Sequence, residues 1–171
     1  VHGNFAIFQP TIGIDMTWKT VHFTDKIVRI CIADTSGQER LNALSTSFFR
    51  NKDAALIAFD ITNLDTYNNV TLWLDTVKRN CPENVVKILV GTQHDLNDNR
   101  QVAEAVAHKF AEENNMRYFE VSALKHHNIE TLFTTTAERV ANCKEIDKLE
   151  IEKAAIQREL NSVKLAQKPA E

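Results

Sequence analysis

The segment that decides the fold reads Val28-Arg29-Ile30-Cys31-Ile32-Ala33-Asp34-Thr35-Ser36-Gly37-Gln38-Glu39-Arg40. Its first half alternates, with Val28, Ile30 and Ile32 set against Arg29 and Cys31, which is the period of a half-buried strand. Its second half is polar and contains a glycine, so the strand gives way to a loop at its carboxyl end. In open α/β sheets, ligands bind beyond the carboxyl ends of the strands.

The flanking sequence repeats the theme. Upstream, Asp15 to Phe23 is rich in threonine, valine and aromatic residues. With Thr24-Asp25 as a turn, it predicts a hairpin into the Ile27–Ala33 strand. Downstream, Ala54 to Phe59 is a continuous apolar run, as expected of a parallel strand covered on both faces. Val85 to Val90, ended by Gly91, and Tyr118 to Val121 are two further strand-length runs. Between them, Tyr67, Val70, Leu74 and Val77 mark one apolar helix face, ended near Pro82. Val102, Val106 and Phe110 mark a second helix, and Ile129, Leu132, Phe133 and Val140 a third. Strands alternating with helices predict an α/β protein with a mostly parallel sheet, carrying one antiparallel strand at its edge.

Composition bounds the rest. The 171 residues are 43% hydrophobic and 25% charged, enough apolar surface for one folded domain with an extension. A net charge of −3 with no basic stripe argues against nucleic acid as a partner. No apolar run reaches the roughly 18 residues a membrane-spanning helix needs. Cys31, Cys81 and Cys143 are odd in number and far apart, which reads as free thiols in a reducing compartment rather than a zinc site. After Arg139 the charge density rises, with 13 charged residues among the last 33. Ile146, Leu149, Ile156, Leu160 and Val163 fall on a 3-4 spacing there, interrupted by Lys153. This predicts a long charged continuation of the third helix with a short heptad seam, either a solvated face or a partner surface. His126-His127 and Lys125 read as surface loop residues, and Trp18 and Trp73 as packing anchors.

Asp34, Gly37 and Gln38 carry the first candidate chemistry. An aspartate at a strand end can hold Mg²⁺, usually through water. A glycine lets a backbone N–H approach a phosphate, and a glutamine can orient an attacking water. Taken alone, the same residues also fit a plain strand-to-loop turn. Three more stretches lie at predicted strand ends or just before the hairpin: Pro10-Thr11-Ile12-Gly13, Gly91-Thr92-Gln93-His94-Asp95-Leu96 and Val121-Ser122-Ala123-Leu124-Lys125. All four can converge on one rim of the sheet.

In order and spacing, Thr11–Asp15, Asp34–Arg40 and the Trp73-Leu74 helix resemble the small GTPases, the Rab branch in particular, over about residues 5–140. The resemblance implies a three-layer P-loop NTPase fold and a GTP-binding switch that hydrolyses GTP to GDP, acting in vesicle trafficking, with Mg²⁺ as its metal. Gln38 then resembles the residue that positions the attacking water. Thr11 resembles the switch threonine on Mg²⁺ and the γ-phosphate, Asp34 the Mg²⁺-side aspartate, and Gly37 the γ-phosphate sensor. Thr92, Gln93 and Asp95 match the base-reading motif, Asp95 as the bidentate acceptor that favours guanine over adenine. Ser122, Ala123 and Leu124 match the second base loop, with the Ala123 N–H facing guanine O6. Thr92-Gln93 and Leu124 stand where Rab proteins have Asn-Lys and Lys, and both variants resemble the Rho branch. The 27 residues from Asp95 to Ser122 leave no room for the Rho insert helix.

The family's partners are activating, exchange and effector proteins. Its effector-facing aromatic triad is replaced here by Met16, Ala33 and Phe48, and Ile146–Val163 is the candidate helix-partner surface. The expected location is cytoplasmic and peripheral on endomembranes, although no prenylation cysteine closes the chain. No GxxxxGK[ST] motif occurs, and the first lysine is Lys19. The family's first strand, which sits between the strand ending at Ala33 and the one ending at Ile61, its P-loop and its first helix are thus missing. The expectation is an incomplete chain: a partial GTPase domain over residues 1–138, not competent alone, and a charged helical extension over 139–171. The same residues also fit a nucleotide-free interaction module acting through its switch surface and C-terminal helix.

Overall fold

A computed structural model describes residues 11, 14–35 and 49–166. Strands β1 (Ile14–His22) and β2 (Ile27–Thr35) form the expected antiparallel hairpin, in a register that sets Met16 opposite Ala33 and Asp15 opposite Asp34. The Phe23 N–H donates to the Lys26 carbonyl at 2.8 Å and closes its turn. Strands β3 (Ala54–Asp60), β4 (Val86–Thr92) and β5 (Arg117–Glu120) form a parallel sheet in that order. Its register aligns Asp60 with Thr92 and Gly91 with Glu120.

Helices cover the parallel sheet on both faces, so it forms the middle of three layers. Helices α1 (Leu64–Asn68), α2 (Val70–Asn80) and α3 (Glu104–Glu113) lie on one face. There Val70, Leu74, Val77, Ala107 and Ala111 pack with Ile57, Phe59 and Leu89. Helix α4 (Ile129–Ala166) lies on the other, where Leu132 packs with Val86, Ile88, Val90 and Val121. Successive strand side chains point to opposite faces, so Leu89 joins one core and Ile88 and Val90 the other. The hairpin rests against α4 through Lys19, whose Nζ lies 2.7 Å from Glu130 and 5.7 Å from the Phe133 ring centroid.

Several expectations are corrected in detail. The antiparallel pair exists, but it stands as its own two-stranded sheet; among the described residues no ladder joins β2 to β3. Among the described residues, the apolar run of β3 is covered fully on one face and only at Ala54 on the other. Ile57 and Phe59 are buried, whereas Leu56 and Ala58 are exposed because the α4 core gathers on β4 and β5. The helix read through Tyr67 and Val77 breaks at Asn69, whose N–H donates back to the Asp65 carbonyl and ends α1. Val106, read as part of an apolar face, is 52% exposed. The smaller Ala107 and Ala111 face the core instead, allowing α3 to lie close to the sheet. Cys31 is exposed, Cys81 and Cys143 are half-buried, and all three are free thiols.

Strand β4 runs on through Gly91 to Thr92 instead of ending at the glycine. A Cβ on Gly91 would lie 2.7 Å from the Tyr118 hydroxyl and 3.0 Å from Ile61, so only a hydrogen fits there. Among the described residues, no helix is long and apolar enough to cross a membrane.

Candidate functional site

The parallel register brings the carboxyl ends of β3, β4 and β5 to one rim. Asp95 follows β4 in a short 3-10 turn, His94–Asn99, and Ser122 follows β5. Ser122 is fully buried, and its Oγ donates to Asp95 Oδ1. The same Oγ accepts from the Lys125 N–H at 3.0 Å, so one hydroxyl ties the β4 loop to the β5 loop. No described residue bonds the other Asp95 oxygen, which therefore remains available to donors from a ligand. Ala123 and Leu124 are exposed beside it.

Thr92 and Gln93 support this loop from below. Thr92 Oγ1 donates to the Phe59 carbonyl at 2.9 Å. Gln93 takes left-handed backbone angles, φ 62° and ψ 35°, and its Nε2 donates to Asp60 Oδ2 at 2.6 Å. The other Asp60 oxygen accepts from the Thr62 N–H and hydroxyl, both at 2.7 Å. Asp60 was not singled out in the sequence; its signal was an aspartate at a strand end, two residues before a threonine.

Glu120 is the second residue that sequence reasoning missed. It is 8% exposed, yet it collects three donors. Arg100 bonds it in a fork, at 2.8 Å to Oε1 and 2.7 Å to Oε2. The Tyr118 hydroxyl donates to Oε1 at 2.6 Å, and His94 Nδ1 lies 2.9 Å from Oε2. Burial pushes the Glu120 carboxyl upward, but the bonds from Arg100, Tyr118 and His94 outweigh it and hold it at about 2. Burial and the same carboxylate push the Tyr118 phenol up, and the bond to Glu120 pushes the Arg100 guanidinium up.

Across the hairpin, Thr11 Oγ1 donates to Asp34 Oδ2 at 2.7 Å. The two candidate metal ligands are thus adjacent, and both are hard oxygen donors. Asp34 also faces Asp15 in the ladder, a like-charge pair that a divalent cation would offset. Thr11 and Asp34 supply two oxygen donors of the kind Mg²⁺ takes, and among the described residues no group of three or more metal-ligating His, Cys, Asp or Glu side chains gathers. Gln38, Gly37 and Phe48 lie outside the described residues. Met16, 55% exposed, and Ala33, half-buried, are cross-strand partners on one face of the hairpin. Ile146 and Leu149 are 55% and 49% exposed on α4; the side chains of Ile156, Leu160 and Val163 lie outside the described ones.

Comparison with known proteins places the chain in a family. The Ras family model matches residues 2–142. The GTP-binding protein YPT1 of Saccharomyces cerevisiae is 39% identical over 130 residues, covering 76% of this chain and 63% of that protein. Ras-related protein Rab-4A of Bos taurus is 35% identical over 168 residues, covering 94% of this chain and 77% of its own. Ras-related protein Rab-10 of Diplobatis ommata is 37% identical over 133 residues, covering 78% and 66%. The match thus spans less than two thirds of the yeast protein's length.

Proposed function

Because the chain belongs to the Ras family, as a Rab-like small GTPase, we propose that it is a guanine-nucleotide switch whose base is read at the β4–β5 rim. The observation that carries this is Asp95, fixed through one carboxylate oxygen by buried Ser122 while the other stays open. Each carboxylate oxygen has two lone pairs, so Asp95 keeps room for two adjacent N–H groups beside the Ser122 bond, which guanine's N1 and exocyclic amine offer and adenine's edge does not. The Ala123 N–H, next to Ser122, is the donor for guanine O6.

Thr11 and Asp34 are the residues that would hold Mg²⁺, which would neutralise phosphate charge when bound. Gln38 orients the attacking water. Thr11 and Gly37 are the positions that respond to the γ-phosphate, the usual device of GTPase switches. Hydrolysis by such a site is slow until an activating protein supplies an arginine.

The readers of the switch are effectors, activating proteins and exchange proteins, met through the surface around Met16, Ala33 and Phe48. Ile146–Val163, on the charged helical stretch 139–171, is a separate partner surface, and the setting is vesicle traffic on endomembranes. The test is competition for a fluorescent GDP analogue on the full-length protein. GDP and GTP are expected to displace it, and ATP at a thousandfold excess is not. Equal displacement by ATP overturns the guanine reading. Absence of any nucleotide binding leaves the interaction-module reading in its place.

A further inference from the structure

We propose that the stacked His94–His127 pair, anchored on Glu120, straps the two base loops together, and that a second proton on the pair releases the strap. This rests on the guanine reading of those loops. His94 lies between Gln93 and Asp95, and its N–H donates to the Val121 carbonyl at 3.1 Å. His127 closes the other loop by exchanging both backbone bonds with Ser122, at 2.9 and 3.1 Å. The two rings lie face to face, 4.5 Å between centroids and 12° from parallel. They bridge the same two loops that the Ser122–Asp95 bond joins.

The hydrogen bonds assign the tautomers. Glu120, bonded by Arg100 and Tyr118, is a carboxylate and only accepts, so His94 Nδ1 carries a proton. Asn128 Nδ2 donates to the Glu120 carbonyl at 2.9 Å and lies 3.0 Å from His127 Nε2. His127 Nε2 is therefore an acceptor, and its ring is neutral with the proton on Nδ1. A first added proton enters at His94 Nε2, where Glu120 balances the charge and the cation rests on a neutral ring. A second has only His127 Nε2 to bind. It displaces the Asn128 donor and sets two cations ring on ring at 4.5 Å.

The charged groups around the pair do not remove that conflict. Through the shared carboxylate they are Glu120, Tyr118 and Arg100; Asp95, Lys125 and His126 adjoin the pair along the two loops. Arg100 already shares the one buried carboxylate, and Asp95 is engaged with Ser122. Imidazole is the side chain whose charge ordinarily changes between about pH 5 and 8, which sets the range to examine.

The experiment measures dissociation of a fluorescent GDP analogue from the full-length protein between pH 5.5 and 7.5. Imidazole and amide NMR spectra are recorded on the same samples. Wild type is expected to release nucleotide roughly tenfold faster at the acid end, an effect the size of one aromatic contact. His127→Phe stacks but takes no proton, so it is expected to lose that acceleration. His94→Asn keeps a donor toward Glu120 but has no ring, and is expected to release several-fold faster than wild type already at pH 7.5. Wild-type acid acceleration in His127→Phe, or a wild-type rate in His94→Asn at pH 7.5, overturns the strap. A wild-type protein that retains no guanine nucleotide overturns the guanine reading instead. The strap then stands if the His127 ring titrates together with the Ser122–Lys125 amides, and falls if it titrates apart from them.

Discussion

Ser122 Oγ donates to Asp95 Oδ1 across 27 residues of chain, and this bond joins the loops that leave β4 and β5. Ser122 is fully buried, so its hydroxyl must find partners within the protein. It finds Asp95 on one side and the Lys125 N–H on the other. The consequence is a carboxylate with one oxygen occupied and one presented at the rim.

Asp95→Asn replaces one carboxylate oxygen with an amide N–H₂ donor and removes the negative charge. Guanine-nucleotide affinity is expected to fall by about 1.5–3 kcal/mol, the range for hydrogen bonds to a charged group. Calorimetric titration of the full-length protein with GDP measures it. An affinity within twofold of wild type removes Asp95 from the base site.

Gln38→Leu keeps the bulk of the side chain and removes its polar end. Single-turnover GTP hydrolysis by the full-length protein is expected to slow by about a hundredfold, in line with the loss of one positioned donor at a reacting centre, while GTP binding is unchanged. Unchanged hydrolysis withdraws the role given to Gln38.

Glu120 makes stability depend on pH. Its carboxyl is held at about 2 in the folded chain against an ordinary value of 4.5. A depressed folded value contributes stability above pH 4.5 and loses it as the pH falls from there toward 2. Urea titrations across that window should show the loss. Glu120→Gln strands the half-buried Arg100, lowers stability at pH 7 by about 3 kcal/mol and flattens the acid slope. A variant with the wild-type slope assigns the acid loss to other carboxyls.

Gly91→Ala is expected to cost about 1–3 kcal/mol, the usual range for overpacking. The Tyr118 hydroxyl that the new methyl meets is itself tied to Glu120 at 2.6 Å and cannot swing away freely. In a Tyr118→Phe background the same substitution should cost less. Equal costs in the two backgrounds, compared as a double-mutant cycle, show that this contact is not what excludes a side chain at Gly91.

Much of the fold is legible along the chain. The alternation of Val28, Ile30 and Ile32 and the run at Ala54–Phe59 correspond to observed strands, and Thr24-Asp25 to the turn between β1 and β2. Val70, Leu74 and Val77 face the core as their spacing requires. Val106 was misread because a four-residue repeat does not say which of two adjacent faces is covered. The small side chains of Ala107 and Ala111 made that choice through close packing. The Glu120 cluster was not legible at all. Its members stand 2, 20 and 26 residues away, and none of those spacings is a motif.

The sequence by itself determined the element types, their order and the motif residues at the strand ends, because period, turn chemistry and residue identity act over a few neighbouring positions. Tertiary structure alone decided which of those residues meet. It set Asp95 on Ser122, His94 between Glu120 and His127, and Gln93 on Asp60. The reason is physical. A buried polar group must bond to whatever the packed strands bring within about 3 Å, and that neighbour is chosen by strand register and layer packing, not by distance along the chain.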